Sequence, residues 1–360
     1  MVSEGRRERV QALVAELELE GFVVLGPADL RWLTGFTGSS GAAVVAASGS
    51  EFITDFRYAE QAPAQVGEGF AVEIADGPVI KAVAATVLKL GLSRVGFDPA
   101  QMTVSDHALL AGRLGKDVQL IPVDDGLSPF RSVKHADEIA AIAAAAALAD
   151  EAFEVVVGRG IVGRTERDVA FDLEVEARRL GAGGMSFPPI VAGGAHGALP
   201  HADPRDVKIA LDTLVVIDWG VVLDGYCSDC TRTVATGELD PEAARIHAVV
   251  DSARVAAINA LRPGLTGREV DAIARDLITD AGYGDYFGHG LGHGVGLEIH
   301  EAPTVGKSGT VALEAGMVVT VEPGIYLAGK FGCRIEDLLV VTDFGSRSLT
   351  SLDRGPLRVG

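Results

Sequence analysis

Positive charge is scarce in this chain. Lys and Arg number 31 against 50 Asp and Glu, a formal net charge of -19 over 360 residues. Phosphate backbones and anionic membrane surfaces are held by clustered cations, so neither nucleic acid nor a membrane is expected as a partner. Cysteine is scarcer still: Cys227, Cys230 and Cys333 are an odd number, and nothing marks the chain as secreted, so reduced thiols are expected. Cys227 and Cys230 form a CxxC with no second such pair. Two small buried side chains are the simpler reading, with a redox pair or half a zinc site as the alternative. Long apolar runs are missing too. No stretch approaches 18 uninterrupted strongly apolar residues, and charged residues interrupt every signal-peptide core near the N-terminus. A cytoplasmic protein is the resulting expectation.

What the chain does have is length and apolar content, 360 residues at 48%, enough for two cores rather than one. Short strands such as Phe22–Leu25, FAVEIA, SRVGFD and VQLIPV alternate with helical stretches from residue 4 to residue 126, which predicts an α/β domain over 1–126. A stretch rich in Gly, Pro and charge makes 127–135 the expected linker. Residues 136–360 then form the second domain, opening on a long alanine-rich helix. Within it a plan repeats. Gly160, Gly163 and Arg164 return at Gly264, Gly267 and Arg268, and Asp218 of VVIDWG returns at Glu322 of VTVEPG, in each case 104 residues on. Two such halves, each bringing a carboxylate to an equivalent place, predict a pseudo-twofold domain with a site on its internal axis.

The densest chemistry lies in GHGLGHGVGLEIHEAP, from Gly288 to Pro303. Glycine at 288, 290, 292, 294 and 296 rules out a stable helix, and in an extended segment His289 and His293 share one face. Imidazole is a common metal ligand and a usual acid or base near neutral pH, which directs attention to carboxylates. Asp224-Gly225 is a two-residue hairpin signal that sets Leu223 opposite Tyr226 and Asp229 diagonal to Asp218. A three-residue turn at Ala328 to Lys330 sets Glu322 opposite Glu336. Four carboxylates on apolar strands either meet Arg232 and Arg334 as ion pairs or hold divalent cations. Four oxygen donors with one imidazole suit Mn²⁺ or Co²⁺ better than a thiolate-seeking metal.

The blocks VVIDWG, GYCSDCTRT, GHGVGLEIHEAP, TVEPGIY and CRIEDLLVVT, in that order, resemble the metallopeptidase family with the pita-bread fold, which includes aminopeptidase P, prolidase and methionine aminopeptidase. LTGFTGSSGAAVV and ITDFRYAEQA resemble the creatinase-like N-terminal domain of its proline-directed branch. The resemblance implies an α/β creatinase-like domain followed by an α+β pita-bread catalytic domain. It implies two divalent metal ions per subunit, Mn²⁺ first with Co²⁺ or Zn²⁺ as alternatives, held by Asp218, Asp229, His293, Glu322 and Glu336. His201 in LPHADP, His289 and His300 are implied to bind substrate and assist catalysis, and Glu322 to move a proton as well as ligate. Arg334 is a candidate for binding the substrate carboxylate, or else it neutralises Glu336. The implied activity is hydrolysis of the bond before proline by hydroxide held between the metals, in Xaa-Pro dipeptides or at the start of longer Xaa-Pro peptides. A homodimer is also implied. The alternatives are a catalytically silent scaffold on the same fold, or another aminopeptidase specificity.

Overall fold

The computed structural model describes residues 2–353 and divides at 131/132 into two compact units. The N-terminal unit is a six-stranded sheet in the order Ala71–Ala75, Gly49–Asp55, Ala42–Ala46, Gly21–Val24, Arg94–Phe97, Gln119–Pro122. All strands run parallel except Ala42–Ala46, which is antiparallel to both neighbours. Every residue of Gly21–Val24 and Ala42–Ala46 is buried, as expected where a strand is covered on both faces and needs no polar alternation. Helices Val79–Lys89 and Val104–Leu114 carry Val83, Val87, Leu110 and Leu114 into that core. Thr103 caps the second of them by accepting the Asp106 N–H at 3.1 Å.

The segment 127–135 is not simply a tether. It holds the short helix Ser128–Ser132, and Arg131 forms a buried ion pair with Asp29 at 2.8 Å. Gly126 and Pro129 gave it the look of a linker, but that ion pair makes its first half part of the N-terminal unit.

Four helices back the second unit: Ala136–Gly158, Glu166–Leu180, Pro241–Ala260 and Gly267–Asp280. Alanine's high helix propensity explains the first, whose start is closed by Glu138 accepting the His135 N–H at 3.0 Å. In front of them lie a three-stranded sheet, Ile190–Gly193, Leu214–Trp219 and Cys230–Ala235, and a five-stranded sheet centred on Val318–Val321 and Asp337–Thr342. One core joins the first helix pair to the first sheet and another joins the second pair to the second, so the pseudo-twofold repeat is visible as two cores.

The repeat has a different register from the one read at 104. The Gly163 N–H donates to Ile209 O as the Gly264 N–H donates to Leu313 O, and Thr165 and Thr266 are the two N-caps, so the helix starts correspond 101 residues apart. The strands Leu214–Trp219 and Val318–Val321 begin 104 apart. Gly163 therefore matches Gly264 and not Gly267. Repeated Gly and Arg made the wrong alignment attractive, whereas the structural landmark is the capping threonine.

Two contacts tie this scaffold to the central strands. Trp219, beside Asp218, donates from Nε1 to Ala149 O at 2.9 Å and stacks on Phe153 with ring centroids 4.3 Å apart. Glu166, the first residue of its helix, accepts the N–H groups of Gly193 and Arg205 and the Arg205 guanidinium, all at 3.0 Å, and meets His196 Nδ1 at 2.9 Å. It thereby closes the loop 193–205 at both ends. Burial would raise the Glu166 carboxyl, but the Arg205 and backbone donors outweigh it and leave it below the usual range.

Trp219→Phe keeps the stack and deletes the donor, so the urea midpoint of this unit should fall by the equivalent of about 1–3 kcal/mol. Because the folded Glu166 carboxyl titrates below its unfolded value, its stabilisation is complete above roughly pH 4.5 and is lost as pH falls through the folded value. The melting-temperature gap between the protein and Glu166→Gln should accordingly be widest near neutral pH and narrow below that window. A gap independent of pH would contradict it.

Candidate metal centre

Strand register aims the acidic side chains at one point. Leu223 pairs with Tyr226 and Thr231 with Asp218, so Asp229 falls opposite Gly220 and diagonal to Asp218, as the Asp-Gly turn predicts. On the other side Gly324 pairs with Arg334 and Val321 with Asp337, which leaves Glu322 facing Glu336. The two pairs are not strict copies. Glu336 corresponds in register to Thr231, whose Oγ1 donates to Glu336 Oε2 at 2.8 Å.

A cavity of about 500 Å³ opens here, and all nine residues singled out from the sequence line it: His201, Asp218, Asp229, His289, His293, His300, Glu322, Arg334 and Glu336. Asp218, Asp229 and Glu336 offer carboxylate oxygens within 4.8 Å of one another. His293 adjoins them, its Nε2 lying 3.3 Å from Glu322 Oε1 and 3.5 Å from Asp229 Oδ2. His293 Nδ1 donates to Gly294 O at 3.1 Å, so Nε2 is the ring nitrogen turned toward the carboxylates. Phe187, Pro188, Pro189 and Ile190 add an apolar part to the lining, with Ile190 paired in register with Asp218.

The electrostatics are unbalanced. Burial first, and then Glu336, Asp218 and Glu322, push the Asp229 carboxyl well above its ordinary range. Burial followed by Glu322 and Asp218 does the same to Glu336. Asp218 is raised by burial, with Arg334 opposing. Glu322 is the exception: burial is outweighed by the bond to His293 and by Arg334, so it lies low. Among the described residues Arg334 is the one Lys or Arg lining the cavity, with Nη2 at 2.6 Å from Asp218 Oδ2 and Nε at 4.0 Å from Glu322. Arg232 turns away to Asp337 and to the carbonyls of Thr231, Leu352 and Asp353. One guanidinium cannot neutralise four carboxylates, and Asp218 Oδ1 and Glu336 Oε1 are buried without a hydrogen-bond partner. Divalent cations fit this donor set, since they supply the missing charge and use the orphaned lone pairs.

Three residues around the site carry no acid or imidazole and were missed in the sequence. Tyr326 OH accepts from Arg334 Nη1 at 2.7 Å and lies 3.0 Å from His289 Nε2. Thr231 accepts from Arg334 Nε at 3.1 Å, and Thr320 Oγ1 lies 3.2 Å from Glu322 Oε1. Strand alternation held the clue for Tyr326, which sits two pairs along the same face as Glu322. Arg334 Nη1 also reaches Pro200 O at 3.2 Å, while its Nη2 pairs with Asp218 rather than Glu336. His289 Nδ1 donates to Gly290 O at 2.8 Å, and His300 stands edge-on to His293 with centroids 4.3 Å apart. Burial lowers both His289 and His300, with the neighbouring His293 adding to the effect on His300. The cysteines stay outside the cavity. Cys227 packs with Ile142 and Val295 and Cys230 with Trp219 in a different core, both thiols raised by burial.

Residues 140–343 match metallopeptidase family M24, and residues 6–133 match the creatinase/prolidase N-terminal domain. An uncharacterized peptidase of Bacillus subtilis, YqhT, is 41% identical over 343 residues, covering 95% of this chain and 97% of that one. Among solved structures, an Xaa-Pro dipeptidase from Bacillus anthracis superposes with a TM-score of 0.95 at 38% identity over 99% of both chains. An X-Pro aminopeptidase from Thermotoga maritima does so with a TM-score of 0.89 at 34% identity, over 98% of this chain and 100% of that one. The chain belongs to metallopeptidase family M24, with a creatinase-type N-terminal domain ahead of a pita-bread peptidase domain.

Proposed function

We propose that this peptidase cleaves the bond before proline, in Xaa-Pro dipeptides or at the N-terminus of Xaa-Pro peptides, with two divalent cations at the carboxylate cluster. The observation that carries the metal reading is the pair of orphaned oxygens, Asp218 Oδ1 and Glu336 Oε1, in a cluster with one guanidinium. Asp218, Asp229, His293, Glu322 and Glu336 would hold the ions. Oxygen donors with a single imidazole favour Mn²⁺, with Co²⁺ or Zn²⁺ as alternatives. The chemistry such ions supply when bound is Lewis acidity toward a carbonyl and toward water. A homodimer and a cytoplasmic setting belong to the same proposal.

The side chains divide the remaining work. Glu322 accepts a proton at its carboxylate and returns it to the leaving nitrogen. His300 and His201, on the cavity wall, donate hydrogen bonds to the substrate carbonyl and to the oxyanion that develops from it. His289 faces the proline side. Both its nitrogens are engaged, so it offers a ring face and no free N–H. That suits a tertiary amide, which presents no N–H of its own, beside the apolar wall of Phe187, Pro188, Pro189 and Ile190. Arg334 has donors committed to Asp218, Thr231, Tyr326 and Pro200, so it holds the cluster from behind and lends the pocket its positive charge.

Metal-stripped protein resupplied with Mn²⁺ should hydrolyse an Xaa-Pro dipeptide or an Xaa-Pro-Xaa tripeptide. Cleavage of the dipeptide alone makes it a dipeptidase, and cleavage of the tripeptide makes it an aminopeptidase. Failure on both with Mn²⁺, Co²⁺ and Zn²⁺ removes the Xaa-Pro reading. Asp229→Ala should bind fewer than two ions per subunit by elemental analysis and lose on the order of 10³-fold in kcat, the scale of losing a preorganised charge in a closed site. Saturating Mn²⁺ should also raise the melting temperature of the wild type, by the equivalent of about 2.7 kcal/mol at a hundred times Kd. An unchanged melting curve would speak against a cation at this cluster.

A further inference from the structure

We infer that Arg275, clamped by Asp271, is a positioning residue for His289. The activity arm of this inference rests on the proposed reading of the cavity; its structural arm does not. Both residues lie on the helix Gly267–Asp280, one turn apart, and neither lines the cavity. Their pairing is bidentate, Nε to Oδ2 and Nη2 to Oδ1 at 2.8 Å each, with the side chains only 14% and 2% exposed.

The remaining bonding capacity of the pair goes to one place, the loop 287–291. Arg275 Nη1 donates to Phe287 O at 2.8 Å and Nη2 to His289 O at 2.7 Å, while Asp271 Oδ1 accepts the Leu291 N–H at 3.0 Å. Three alternate residues of the loop are gripped from the helix. The guanidinium also lies 4.1 Å from the Phe287 ring centroid, and that ring stands edge-on to His289 at 5.1 Å. His289 is thus located through its own carbonyl and through a neighbouring ring.

The loop needs such a grip. Regular strand pairing begins only at Gly292, and Gly288 and Gly290 flank His289 with the least conformationally restricted residue of all. The loop is also tied forward, since Glu322 donates its N–H to Leu291 O at 2.8 Å. The planar fork of arginine can hold a carboxylate and two carbonyls together, a geometry that lysine cannot reproduce. In the first half Glu166 performs the corresponding task on the loop that carries His201, so each half grips its histidine loop from a backing helix.

The test uses the metal-loaded full-length protein with Arg275→Met, Arg275→Lys, His289→Ala and the Arg275→Met/His289→Ala double variant. Arg275→Met should raise KM and lower kcat/KM on the Xaa-Pro substrate about ten- to hundred-fold, the scale of an ångström-sized misplacement. In the His289→Ala background the same change should matter by less than about twofold. A crystal structure of Arg275→Lys, which keeps the charge and the partner on the helix, should show His289 Nε2 withdrawn from Tyr326 OH. An Arg275→Met loss that multiplies fully onto the His289→Ala loss, or a His289 ring left in place, overturns the inference. If the wild type cleaves no Xaa-Pro substrate, the specificity reading falls alone, and the ring position still decides the role of Arg275.

Discussion

Everything in the catalytic unit answers to the crowding of Asp218, Asp229, Glu322 and Glu336 around a single guanidinium. Like charges in a closed space raise each other's energy, and burial removes the water that would screen them. An isolated protein chain would avoid such an arrangement. It is built where the register of each hairpin places its acids on the cavity face, an arrangement that fits the proposed seating of divalent cations. The same excess of negative charge keeps Arg334 in place: it is buried, yet Asp218, Glu322 and Tyr326 hold its charge there.

The two halves solve the placement problem differently. In the first, a tight two-residue turn puts Asp229 diagonal to Asp218 and leaves Thr231 directly opposite. In the second, a three-residue turn puts Glu336 directly opposite Glu322. A diagonal pair and a facing pair interleave without colliding, and Thr231 fills the vacant opposite position by donating to Glu336. Duplication supplied the frame, and a one-residue difference in turn length supplied the asymmetry.

Much of this was legible in the sequence because acids on apolar strands and histidines among glycines are rare enough to stand out. Hairpin turns then translate directly into register, which is why the sequence alone brings Asp218, Asp229, Glu322 and Glu336 together. What escaped notice was of two kinds. Tyr326, Thr231 and Thr320 act through hydroxyls, and hydroxyl residues are common on strands for reasons of propensity alone. Asp271, Arg275 and Glu166 sit on helices, where an acid near an arginine looks like an ordinary surface pair; only the burial of the two acids and the bonds of all three to distant loops reveal otherwise. The repeat offset misled for a related reason, since Gly and Arg recur at both 101 and 104 residues and only the N-cap bonds separate the two.

The committed donors around His289 carry a consequence for specificity. His289 gives its N–H to Gly290, Tyr326 lies between His289 and Arg334, and Arg334 is shared among Asp218, Thr231, Tyr326 and Pro200. A substrate that brought its own N–H to this wall would find acceptors already occupied, and burying an unpaired donor costs about 1–3 kcal/mol. A proline nitrogen brings none and escapes that cost, and Pro188, Pro189 and Phe187 line the same cavity as apolar surface for its ring. Under the proposed reading, discrimination at this subsite comes as much from what the wall withholds as from what it offers. Such a wall works only if the ring of His289 stays where its bonds are made, which makes the grip on its loop part of the specificity and not only of the fold.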